Sequence, residues 1–402
     1  MKGRRVIYLL GAVAAATAAL VLPATAGATN NLVCGGTIDT SVTLPANMDC
    51  SGTSATALTI TKSGVTLNFG GHTITGNTNY DVIDVVAGAS NVTIENGIVH
   101  SGWDQISTNH DDYLVIQNMT MYNASYIGMA LESEAGALVT QNNVTGAASH
   151  DIRVRDGGGN AIFSNTVSDV GNYWCNGCSS TMYINDETSD SIEGNTSFLS
   201  GNVSAHNTNF KDYYSDKNLW YGNVAYGGYY GFHMYADGEG TVTVTGNGAA
   251  GQVGSGSTAS GFYIEDMYLE YNNPSNQFSL INGNTASSGV TGANGFYEAY
   301  NVGATFTNNM ASRNDGNGYY FDYPWGETIT GNTAQYNNGD GFYLETYGAN
   351  GDPLSFANNN AWYNQGWGFE SDGATVGKNN TGLSGGTPTN NGGECYSVLG
   401  CN

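Results

Sequence analysis

From Leu58 onward the chain alternates apolar and polar residues in short runs that turns interrupt. LTITKSGVTLNFGGHTITG, beginning at Leu58, and ASNVTIENGIVHSG, beginning at Ala89, carry the period of two expected of strands with one buried face. No helical period of useful length follows residue 28, so the pattern predicts an all-β chain of many short strands. A longer period lies over this one. The frame apolar-x-x-Asn-Thr/Val-small recurs as IEGNTS from Ile192, LINGNTA from Leu280 and ITGNTA from Ile329. Its Asn is read at Asn96, Asn118, Asn143, Asn165, Asn195, Asn223, Asn247, Asn284, Asn309, Asn332, Asn359 and Asn380, and most spacings fall between 21 and 28 residues. That is the length of one coil of a parallel β-solenoid. An inward Asn stacked on the Asn of the next coil satisfies turn amides and carbonyls that would otherwise be buried unpaired.

A second frame, Gly-Phe-Tyr-x-Glu, begins roughly 14 residues before each Asn: GFYIED at Gly261, GFYEAY at Gly295, GYYFDY at Gly318 and GFYLET at Gly341. Aligned on it, earlier coils read GMALES at Gly128, DIRVRD at Asp151, TMYIND at Thr181, NFKDYY at Asn209 and GFHMYA at Gly231. The organisation expected is a secretory signal peptide over 1–28, an N-terminal cap over 29–62, a solenoid of about twelve coils over 63–380 and a C-terminal cap over 381–402. The leader reads from a basic start at Lys2, Arg4 and Arg5, an apolar run from Val6 to Leu22, and small residues near Ala26. All six Cys follow it. By neighbourhood they pair as Cys34–Cys50, Cys175–Cys178 and Cys395–Cys401, which puts a disulfide in each cap.

These repeats resemble the right-handed parallel β-helix superfamily, the pectate-lyase-like proteins. The opening VCGGTIDTSVTLPANMDC with GVTLNFGGHTITG is similar to the N-terminal coil of its secreted bacterial members. The resemblance covers most of the mature chain and implies a carbohydrate-active extracellular protein. It does not fix the chemistry, because the fold hosts lyases, hydrolases, C5-epimerases and adhesins.

Charge narrows the partners. Losing the leader, with its three cations and no acid, takes the formal charge from −24 to −27. Such a surface repels nucleic acid and anionic membrane, leaving a polysaccharide as the expected partner of a secreted monomer. Gly at 58, Pro at 6 and Tyr at 27 fit tight turns and an aromatic surface.

In the second frame alternate residues face outward. One outward row is read as Gln105, Ala130, Arg153, Tyr183, Lys211, His233, Tyr263, Tyr297, Tyr320 and Tyr343. Beside it run Ser107, Glu132, Arg155, Asn185, Tyr213, Tyr235, Glu265, Ala299, Asp322, Glu345 and Glu370. Three of the seven mature cations, Arg153, Arg155 and Lys211, thus share one face, with His233 a coil further on. Cations beside aromatic rings suit an extended acidic glycan.

The leading expectation is a lyase that cleaves a uronic-acid glycan by β-elimination. Arg153 or Arg155 neutralises the carboxylate, Lys211 takes the C5 proton, and His233, Tyr183 or Tyr263 protonates the leaving oxygen. Related alginate and chondroitin lyases pair a Lys and an Arg on nearby coils, often with calcium, so calcium is a candidate cofactor. Tyr213, Tyr235, Tyr263, Tyr297, Tyr320 and Tyr343 are candidate sugar-binding residues. The alternatives are a glycoside hydrolase using Glu265, Asp322 and Glu345, a C5-epimerase, and a non-catalytic glycan-binding protein. YYGFHMYAD at Tyr229 matches the epimerase motif only loosely, lacking its Asp-Pro step. Asp212 and Glu298 fall on inward positions, where an unpaired carboxylate is costly.

Overall fold

The computed structural model describes residues 32–110, 112–171, 179–200, 207–235, 241–254, 258–265, 279–299, 303–345, 354–382 and 393–401. It is a right-handed parallel β-helix, all strand among the described residues, with about twelve coils. A full coil gives three strands, as in Ser260–Glu265, Leu280–Asn282 and Thr285–Ser287. Each pairs in parallel with the matching strand of the next coil: Asn294–Ala299, Thr305–Thr307 and Met310–Ser312. Three parallel sheets result, one long-stranded and two short-stranded.

The pairing already runs through much of the segment expected to be an N-terminal cap. Gly36–Ile38 pairs with Leu58–Ile60, which pairs with Ile83–Val85. The Cys34–Cys50 disulfide forms as expected. Cys175 and Cys178 lie outside the described residues, as does the leader. Cys395 is disulfide-bonded, and the side chain of its expected partner, Cys401, lies outside what is described.

The interior is built of columns. Along the long-stranded sheet Phe210, Phe232, Phe262, Phe296, Tyr319, Phe342 and Phe369 stack in register, with centroids 4.6–5.0 Å apart. The GFY frame has a packing reason. A Cβ on Gly261 would come within 2.7 Å of the Ala286 Cβ on the third sheet, so this corner has room for Gly against Ala.

The Asn ladder is real, with a different first rung. Asn142 Nδ2 donates to Asn165 Oδ1 (3.0 Å), and the same bond repeats through Asn195, Asn223, Asn247, Asn284, Asn309, Asn332, Asn359 and Asn380 at 3.0–3.1 Å. Each rung also accepts the backbone N–H of the rung before it and donates to a carbonyl of the preceding coil; Asn309 does so to Ile281 O at 2.8 Å. The residue ahead of each rung is left-handed: Gly194, Gly222, Gly246, Gly283, Gly331, and also Gln141, Ser164, Asn308, Asn358 and Asn379. Asn96 and Asn118 occupy this left-handed position, with φ of 60° and 54°. Gly97 and Met119 take the rung behind them. Asn143 is exposed and opens the strand Asn143–Thr145. Gly97 is required because a Cβ there would fall 2.0 Å from that of Phe69, whose ring plugs the corner below.

The two inward acids keep their register without a bulge. Asp212 accepts from Trp220 Nε1 (2.7 Å) and Asn218 Nδ2 (3.2 Å). Glu298 is fully buried against Glu327, whose carboxyl burial and Glu298 push well above the usual range. A pair of buried carboxyls in contact is stable when it shares a proton.

Asn309→Ala leaves the Asn284 N–H buried without a partner and takes a second donor from the Ile281 carbonyl, and should cost about 2–3 kcal/mol, at about 1–3 per orphaned group. Asn308→Gly next to it keeps the left-handed turn and should change stability by less than about 1 kcal/mol. Equilibrium urea unfolding of both variants checks this, and equal losses would contradict it.

Candidate functional site

The long-stranded sheet lines up its outward residues one coil apart. Ala130, Arg153, Tyr183, Lys211, His233, Tyr263, Tyr297, Tyr320 and Tyr343 are register partners in succession, as read from the sequence. The neighbouring row runs Glu132, Arg155, Asn185, Tyr213, Tyr235, Glu265, Ala299, Asp322 and Glu345. Three end positions differ. Ser107, not Gln105, precedes Ala130, while Gln105 is fully buried at the corner and donates to Tyr122 O at 2.7 Å. Glu370 follows Tyr343 in the first row. The strand bends at Gln105, so the first row begins two residues later, at Ser107.

The two arginines are not free cations. Arg153 Nη2 and Arg155 Nε donate to the two oxygens of Glu132. Arg153 also sits over the Tyr126 ring, 5.8 Å from its centroid. Together the three side chains carry one net positive charge, and Arg155 remains the exposed member at 46%.

Lys211 is held differently. Its Nζ lies 5.5 Å from the Tyr183 ring centroid and 4.8 Å from that of Tyr213. No hydrogen bond or ion pair engages it among the described residues. Burial lowers its pKa, with Glu265 acting in the opposite direction. One coil on, His233 Nε2 stands 3.4 Å from Glu265 Oε2. Burial holds that imidazole toward neutrality. Burial works to raise the Glu265 carboxyl, but His233, the Tyr263 hydroxyl and Lys211 together hold it below its ordinary value. Tyr183 donates to Asn185 Oδ1 (2.5 Å), and burial pushes its phenol up to about 12.

Two groups escaped the sequence reading. His150 lies in the next row, stacked on Tyr183 at 4.9 Å, with Nδ1 3.1 Å from Ser180 Oγ. Burial and then Arg153 drive its pKa down to about 3. Asp104 lies in the same row; burial and Asp81 lift it to about 7, against Arg153. Both sit where the strand bends, a position the alternation rule assigns to neither face.

The tyrosine rungs are not open platforms. Tyr263 and Tyr297 are 8% and 6% exposed and stack on each other at 5.2 Å. Tyr213, Tyr235, Tyr320 and Tyr343 are half-buried, and Tyr213 stacks on Tyr235 at 4.3 Å. Rings one coil apart cover each other's faces, so the row offers edges and hydroxyls. Those hydroxyls reach carboxylates: Tyr297 donates to Asp322 Oδ2 (3.2 Å) and Tyr320 to Glu345 Oε2. Burial raises the Asp322 pKa, Tyr297 lowers it and Glu345 adds to the rise. Among the described residues no group of three or more His, Cys, Asp or Glu is placed to hold a metal ion.

A family profile described as "Periplasmic copper-binding protein (NosD)" matches residues 255–381, about a third of the chain. That segment contains no His and no Cys. No curated protein matches the chain. Among solved structures, the Azotobacter vinelandii mannuronan C-5 epimerase AlgE4 A-module is 13% identical, over 74% of this chain and 86% of that one, with a TM-score of 0.48. The periplasmic alginate epimerase AlgG is 12% identical over 85% and 76%, with a TM-score of 0.41. A tailspike protein double mutant of E. coli bacteriophage HK620 in complex with pentasaccharide is 14% identical over 87% and 64%, with a TM-score of 0.45. Likeness at this level assigns no activity.

His150 gives a pH signature. Its folded pKa, about 3, lies below the free-imidazole value of about 6.5. The unfolded chain therefore takes up the proton first, and the stability His150 contributes above about pH 6.5 is lost as pH falls toward about 3. Thermal unfolding across this range should show a shallower acid decline for His150→Gln than for the parent. Parallel declines would contradict the assignment.

Proposed function

We propose that the protein acts on a uronic-acid-containing glycan by abstracting the C5 proton, with β-elimination as the outcome. One observation carries the reading: Lys211 is desolvated between two tyrosine rings, with no ion pair to it among the described residues. A lysine held this way gives up its proton more readily than a solvated one, which suits it to serve as a base. Lys211 takes the C5 proton, and the pair of electrons left on carbon forms the C4–C5 double bond as the glycosidic oxygen leaves C4. Tyr183, one coil back and kept protonated, donates to that oxygen. Arg155, with Arg153 behind it, faces the uronate carboxylate and stabilises the charge that develops there. His233 and Glu265 hold the far side of Lys211 and set its field. A C5-epimerase shares the first step and differs in returning a proton to carbon.

A second reading has its own observation. Asp322 and Glu345 are register partners on adjacent coils, and burial raises the Asp322 pKa above its ordinary value. An acid paired with a second carboxylate at this spacing is the requirement of a retaining glycoside hydrolase.

Copper does not fit the matched segment. Cu(I) and Cu(II) sites draw on thiolate, thioether and imidazole, and the matched segment offers Met267 and Met310 as its soft donors. Export fits the reading through the leader-like residues 1–28 and the Cys34–Cys50 disulfide, which favours an oxidising compartment.

The test is ultraviolet absorbance of the unsaturated uronyl product during incubation with a panel of uronate-containing glycans. The parent should produce it and Lys211→Ala should lose at least about a hundredfold in rate, the lower range for a general base. Tyr183→Phe should fall comparably with little change in KM. New reducing ends without absorbance, abolished by Glu345→Gln and retained by Lys211→Ala, would transfer the assignment to the carboxylates.

A further inference from the structure

The row changes sign along the helix axis. In the coils of Glu132, Arg153, Arg155 and Lys211 the two outward rows hold three cations and one carboxylate. In the coils of Asp322 and Glu345 they hold two carboxylates in succession and no cation, and Glu370 extends the acidic run. The Tyr297 and Tyr320 hydroxyls fill one acceptor position on Asp322 and Glu345. The remaining lone pairs of a carboxylate can only accept. A neutral sugar brings hydroxyl donors to such a surface; a uronate brings a like charge, at a spacing of one coil.

Resting on the glycan reading above, we infer that the ligand is a heteroglycan: one acidic sugar at Lys211, with neutral sugars running over Asp322 and Glu345. Homopolyuronates are disfavoured, because a chain with a carboxylate on every sugar puts one on each acidic coil. The acidic half is a specificity element that works by repulsion.

Tyr183→Phe, which retains every cation, serves as the binding form, and calorimetry measures three probes: deacylated gellan oligosaccharides, whose repeat has one in-chain glucuronate among neutral sugars; polymannuronate; and a neutral glucan. Gellan should bind at least about tenfold more tightly than either of the others, the scale of a like-charge mismatch. Adding Asp322→Asn and Glu345→Gln should raise polymannuronate affinity and close most of that gap. Polymannuronate equal to or tighter than gellan, or unmoved by the two neutralising changes, overturns the inference. A glucan bound as tightly as gellan overturns the acidic-sugar position. Absence of binding to all three removes the glycan reading and this inference with it. The predicted affinity order without any unsaturated product from the parent protein on the same glycans removes the elimination chemistry and leaves the ligand class standing.

Discussion

The coil-to-coil hydrogen bond at the asparagine corner is the constraint on which the rest depends. Each rung satisfies a backbone donor, a backbone carbonyl and its own neighbour at one point in the cross-section. A slip of one residue would orphan several buried polar groups together, which is far costlier than any single lost contact. The corner therefore locks the register of all three sheets. Once register is locked, every side chain meets its counterpart one coil away, inside and out. The phenylalanine column, the tyrosine row and the run of charges are the same geometry on different faces.

That geometry governs the chemistry available. Charges one coil apart cannot ignore each other, so the site is defined by pairing and by its exceptions. Glu132 takes both arginines. Tyr297 and Tyr320 take Asp322 and Glu345. Glu298 and Glu327 hold each other in the interior. Lys211 is the exception, a cation flanked by rings in a strongly acidic protein. An anion would hold its proton firmly, and two phenol rings hold it weakly. The opposite gradient of the row, cationic to acidic, then gives the face a direction.

The fold was largely legible because a solenoid writes its cross-section into the sequence once per coil. The apolar-x-x-Asn half of the frame, Val139-Thr140-Gln141-Asn142, selects Asn142, while its Asn-Thr/Val half, Asn143-Val144, selects Asn143. Asn96 and Asn118 misled because Asn suits both the rung and the left-handed residue before it, and only Phe69 and Gly97, packed against each other, show which role is filled. The outward rows followed from alternation over the central coils. They failed at Gln105 and passed over His150, because the strand bends at its first residues. Partnership was the least legible part. Glu132 was on the page as a neighbour of Arg155, but that it takes both arginines depends on side-chain reach. The tyrosines read as platforms in sequence and prove to cover one another, since rings at the coil repeat stack by necessity.

The central claim is that Lys211 is a poised base, and its titration tests this directly. Beyond residue 28 the chain has four lysines, Lys62, Lys211, Lys217 and Lys378, so selective labelling at the side-chain carbon or nitrogen resolves them by NMR, with Lys211→Arg giving the assignment. The account predicts that one signal, that of Lys211, titrates below the other three and shifts when a uronate-containing oligosaccharide is added. Four signals titrating together near the ordinary value of about 10.4, with none responding to the sugar, would contradict it.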